Sequence, residues 1–97
     1  MNRHCYHRAG GIRAFPDKGG GWTLVSRRGE FLSLRNAASL CLWEVLGEGA
    51  DPGELTRRLQ AVFPGVPAMI LRRDAARFLR DLEVHGFVEK IDAAGAD

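Results

Sequence analysis

Long apolar runs are missing from this sequence: nothing approaches the ~18–20 consecutive apolar residues of a membrane-crossing helix. The opening Met1-Asn2-Arg3-His4-Cys5 has no hydrophobic stretch of the kind that directs secretion. A cytoplasmic location without a membrane partner is the expectation. Cysteine is scarce, with Cys5 and Cys41 alone, and two thiols so placed make a poor disulfide framework, so both are expected to be reduced. A dominant charge is lacking too. Fourteen Lys and Arg against twelve Asp and Glu leave a formal net charge of +2, too little to argue for nucleic acid without local clustering. No phosphate-binding glycine loop, paired catalytic carboxylates or triad pattern occurs. Neither an enzyme nor a cofactor is expected.

Two weaker chemical signals have plain readings. His4-Cys5-x-His7 offers metal-ligand types but no fourth partner at matching spacing, so no metal is expected there. Cys41 lies amid leucines and reads as a buried, inert thiol.

What is present suits one small domain. A chain of 97 residues can bury one modest core, and 45% hydrophobic with 27% charged residues is an ordinary globular balance. Residues 1–10 show no periodicity and 92–97 are mostly small, so flexible ends are expected around a domain spanning 11–91. Three short alternating segments, Ile12 to Phe15, Trp22 to Val25 and Phe31 to Leu34, are separated by glycine-bearing turns. They predict a three-stranded antiparallel meander. Asn36 is a good N-cap for a helix over Ala37 to Leu46 that is apolar on most of its circumference, and Gly47 and Gly49 are expected to end it in the left-handed conformation.

Asp51-Pro52-Gly53-Glu54 opens a second, amphipathic helix with a cap, a first-turn proline and a glutamate set to reach back to the cap. Pro64-Gly65 closes it. Pro67 begins the longest helix, whose stripe Leu71, Ala75, Phe78, Leu82 recurs at i, i+4, i+7 and i+11 before Gly86. His85, just before that glycine, is expected to meet the last helical carbonyls. Phe87 to Ile91 adds a short C-terminal extended segment. The predicted class is α+β, winged helix-turn-helix-like: a meander followed by three helices.

Within this pattern, Leu34-x8-Trp43-x2-Leu46-Gly47-Glu48-Gly49, then Glu54-Leu55-x3-Leu59, then Asp74-Ala75-x2-Phe78-Leu79-x2-Leu82-x3-Gly86-Phe87-Val88, resembles the PqqD family, also called RiPP recognition elements. The resemblance covers residues 11 to 91. It implies a non-catalytic domain that binds the leader segment of a ribosomally made precursor peptide and presents it to an enzyme, such as a radical SAM protein or a leader peptidase. The pathway implied is pyrroloquinoline quinone, lasso peptide or related biosynthesis. It also implies that the leader adds as a strand to the edge Glu30, Phe31, Leu32, Ser33, Leu34 and lies against the third helix. The sequence departs from the family's usual Asp-Gly after the first helix, and the start of the third helix, Met69-Ile70-Leu71, is unusually apolar.

On that helix Ile70, Arg73 or Asp74, Arg77 and Asp81 share a helical face. Ile70 is expected to anchor an apolar leader residue and the arginines to favour an acidic one. The plainer alternative makes Arg72, Arg73, Arg77 and Arg80 a solvated face with Arg77-Asp81 as an i,i+4 pair. Trp43 is assigned to the core. A winged-helix DNA-binding regulator, using these arginines in the major groove, is the competing function; the interleaved Asp74, Asp81 and Glu83 argue against it. An open edge can equally pair with a second copy, so a homodimer stays open.

Overall fold

The computed structural model describes residues 4–92, and the side chains of 5–91. The order is β1 (His4–Arg8), β2 (Arg13–Pro16), β3 (Trp22–Val25), β4 (Phe31–Leu34), α1 (Ala37–Leu46), α2 (Pro52–Val62), α3 (Ala68–Val84) and β5 (Val88–Asp92). The α+β class and the meander followed by three helices are as the sequence predicts. The meander runs β2-β3-β4, all antiparallel, with Leu24 opposite Ala14 on one side and Leu32 on the other.

A second sheet corrects the expectation of an unstructured start. His4–Arg8 is a strand, paired antiparallel with β5 so that Tyr6 faces Lys90. Tyr6 also exchanges both backbone hydrogen bonds with Ala50, at 2.8 and 3.1 Å. The ordered unit therefore begins before residue 11. The strand has little apolar alternation of its own; it is made by partners more than 40 residues away, which no local pattern announces. The expected tail over 92–97 lies outside the described residues, apart from Asp92 at the end of β5.

Helix starts follow their caps. The Asn36 carboxamide accepts from Ser39 N–H and the Asp51 carboxylate from Glu54 N–H, both at 2.8 Å, each satisfying an orphan donor of the first turn. At the other end of α1, Gly47 is right-handed and it is Gly49, at φ +84°, that turns the chain. Leu42, Trp43 and Leu46 of α1, Leu55 and Leu59 of α2, and Leu71, Ala75, Leu79 and Leu82 of α3 form the core with Phe87, Val88 and Ala50. The meander joins this core through Leu24 and Leu34. No helix among the described residues is long and apolar enough to cross a membrane.

The β2–β3 turn presses on the end of β4. Gly21 sits at φ +90°, and a Cβ there would stand 2.2 Å from the Leu34 carbonyl oxygen, whereas at Gly20, φ +91°, it would meet nothing. Gly20→Ala is therefore expected to cost only the left-handed backbone penalty, about 1–2 kcal/mol, and Gly21→Ala distinctly more. Urea unfolding of the two variants gives the comparison; equal losses would mean that the turn does not rest on β4.

Candidate functional site

Backbone pairing decides which groups of β4 are free. Ser26 N–H donates to Glu30 C=O at 2.8 Å, and hydrogen-bonded pairs alternate along an antiparallel ladder, so Leu32 and Leu34 turn their backbone groups toward β3. Phe31 and Ser33 turn theirs outward. The β2–β3 ladder is consistent, since Asp17 N–H donates to Gly21 C=O and Pro16, which has no N–H, falls in a non-bonded position opposite Trp22. β4 is the last strand of its sheet, and its outer edge presents two N–H and two C=O groups.

Two cavities flank this edge. One, of about 510 Å³, is lined by Glu30, Phe31 and Leu32 from β4 and its approach, Phe78, Asp81, Leu82 and His85 from α3 and its C-cap, and Phe87. The other, of about 290 Å³, has Ser33, Asn36, Ser39, Leu42, Leu59, Leu71, Asp74 and Phe78 among its walls. Phe78 belongs to both, so the two form one groove between β4 and α3 with an aromatic ring dividing it.

The groove is closed at one end by polar contacts. His85 Nδ1 lies 2.5 Å from Glu30 Oε1, and Arg28 lies 3.7 Å from Glu30 Oε2 while donating to the Val84 carbonyl at 2.6 Å. The His85 imidazole thus meets a carboxylate from the meander, while its backbone N–H donates to the Asp81 carbonyl of the last helical turn at 3.1 Å. These contacts tie the β3–β4 hairpin to the C-terminus of α3, and from there toward α1 the outer edge of β4 pairs with no strand among the described residues.

Of the residues expected at the site, Glu30, Phe31, Leu32, Ser33, Asp74 and Asp81 line the groove. Leu34 is wholly buried and holds the sheet to the core. Ile70, 47% exposed, and Arg73 and Arg77, both exposed, line neither cavity. The stripe that faces β4 is Asp74, Phe78, Asp81 and His85, at i, i+4, i+7 and i+11, about 60° around the helix from Arg77. No ion pair joins Arg77 to Asp81 among the described residues. Phe78 and Leu82 were read as core, and both also wall the groove; His85 and Phe87 were not assigned to it. For Phe78, Leu82 and His85 the signal is the helical stripe itself, whose orientation depends on where β4 packs; Phe87 lies beyond the helix and carries no such signal.

A separate cavity of about 380 Å³ lies against β2 and α1, lined by Arg8, Ala14, Trp22, Leu40, Trp43 and Glu44. Arg8 stacks 4.5 Å from the Trp43 ring centroid and donates from Nε to the Trp43 carbonyl at 3.0 Å. Loss of water around the guanidinium pushes its pKa below the ordinary value, with Glu44 acting to raise it. Burial, and then Glu44, push the Cys41 thiol up, against Arg58, which makes its thiolate scarcer and the group less reactive.

The comparisons with known proteins bear on this arrangement. The sequence model of the family Coenzyme PQQ synthesis protein D (PqqD) matches residues 21–88, from the end of the first meander turn to the start of β5. Neither a curated protein nor a solved structure is similar enough to match the chain. Membership of this family supports, in general terms, an accessory, non-catalytic, peptide-binding role in peptide-derived cofactor or natural-product biosynthesis. With the meander, the three helices and the groove between them all inside or adjoining the matched span, the chain belongs to the PqqD family.

Proposed function

We propose that the protein captures the leader segment of a ribosomally made precursor peptide by adding it as a strand to the outer edge of β4, and presents it to a modifying enzyme such as a radical SAM protein or a leader peptidase. The observation that carries this reading is the outward-facing backbone of Phe31 and Ser33 beside a groove walled by α3. Cells normally cover such an edge; a peptide-binding domain leaves it free.

Magnitudes set the division of labour. Four backbone hydrogen bonds at a net ~0.5–1.5 kcal/mol each give about 2–6 kcal/mol, whereas micromolar affinity needs about 8 kcal/mol. The difference falls to side chains seated in the two cavities, where Leu71, Leu59 and Leu42 line one and Leu82 and Phe87 the other. Burying one leucine-sized side chain is worth about 1.5–3 kcal/mol. Two such anchors close the gap.

Strand addition makes a specific demand on Ser33. Ser33→Pro removes an outward N–H without touching a bond to β3, so the variant is expected to stay folded by circular dichroism and to lose leader affinity by roughly tenfold or more. Leu32→Pro, which breaks the internal ladder, is expected to unfold the meander. A folded Ser33→Pro protein with unchanged affinity would exclude pairing through this edge.

NMR titration separates peptide capture from DNA binding. With the leader of the precursor encoded beside this gene, amide shifts are expected to cluster at Phe31, Ser33 and the Asp74 to His85 stripe. Duplex DNA at moderate salt is expected to leave Arg72, Arg73, Arg77 and Arg80 unmoved, because a net charge of only +2 offers phosphates little attraction and Asp74, Asp81 and Glu83 flank those arginines on the same helix. Salt-sensitive DNA shifts at those arginines, with silence toward the leader, would move the protein to the regulators.

A further inference from the structure

Where the groove is charged and unsatisfied, it is acidic. Glu30 is already engaged by His85 and Arg28. Asp74 and Asp81 are exposed, line the two cavities, and have no ion-pair partner among the described residues. The cations of the same helix, Arg72, Arg73, Arg77 and Arg80, line neither cavity. The sequence pattern places Arg73, Asp74, Arg77 and Asp81 together on one stretch of α3 toward the peptide; in the fold only the two aspartates of that set line the cavities.

Spacing gives the acidic pair a length scale. Asp74 and Asp81 are seven residues apart on a helix, about 10 Å along its axis, between the ~7 Å and ~13 Å that separate same-face side chains two and four residues apart on a strand and within reach of a long cationic side chain. Between them stands Phe78, separating the apolar walls around Leu71 from those around Phe87. A peptide strand paired with Phe31 and Ser33 sends every second side chain toward α3. Such a strand meets apolar cavity and carboxylate in turn.

Resting on the reading that this groove takes an extended peptide, we propose that it selects leader segments carrying two apolar side chains for the cavities on either side of Phe78, with lysine or arginine against Asp74 and Asp81. An acidic leader would lay its carboxylates beside two others that have no ion-pair partner among the described residues, and like charges so placed repel. Arg73 and Arg77 contribute to the solvated back of the helix and do not read the peptide.

Three fluorescein-labelled synthetic peptides test this, identical in length and in an alternating leucine–threonine core, with lysine, glutamine or glutamate at two positions four residues apart, so that both face α3. Fluorescence polarisation at low salt gives affinities, and NMR of the labelled protein reports where each peptide sits. The lysine peptide is expected to bind roughly tenfold tighter than the glutamate peptide, with the gap narrowing as salt is added. The preference is expected to vanish in D74N/D81N and to persist in R73Q/R77Q. Equal affinities or a glutamate preference, with shifts still clustered at Phe31 and Ser33, would overturn the charge selection and leave strand capture standing. Absence of shifts there with every peptide would overturn strand capture at this edge, and the selection with it.

Discussion

The burial of Leu24 and Leu34 is the constraint on which the meander's placement depends, and the exposed contact among Arg28, Glu30 and His85 adds a tie to the end of α3. Leu24 and Leu34 anchor the sheet's inner face. The Glu30–His85 contact at 2.5 Å and the Arg28 donation to Val84 then fix the β3–β4 hairpin against one end of α3. Away from those contacts, two cavities lie between β4 and α3. Phe78, half-buried, occupies the space between and divides it.

The rest of the molecule serves as a frame for the groove. α2 and α3 pack through Leu55, Leu59, Leu71, Ala75 and Leu79, so α3 presents a fixed face to the meander. β1 and β5 pair behind the helices, with Tyr6 bridged to Ala50 and Ala9 to Phe87. Phe87 is both a core residue and a wall of the larger cavity. Core stability and the shape of the groove are therefore not separable at that position.

Much of this was legible locally. The spans of β3, β4 and α1, and the starts of α2 and α3, stand where alternation, caps and prolines put them, because those signals act within a few residues. β1 was not legible: its hydrogen bonds run to β5 and Ala50, and the segment His4–Arg8 carries no pattern of its own. The candidate site was half legible. Its strand follows from being last in the meander, but on α3 the sequence marks several charged stripes and cannot say which one faces β4.

By itself, then, the sequence determined the α+β class, the order of meander and helices, and a resemblance strong enough to point to peptide capture, because alternation, capping and apolar stripes are set by neighbouring residues. The tertiary structure alone decided which backbone groups of β4 point outward, that Leu34 is buried, and that Asp74, Phe78, Asp81 and His85 rather than Arg73 and Arg77 line the groove. Those outcomes rest on the rotation of one helix against one strand. About 60° of helix rotation exchanges an arginine face for an aspartate face, and only long-range packing sets that angle.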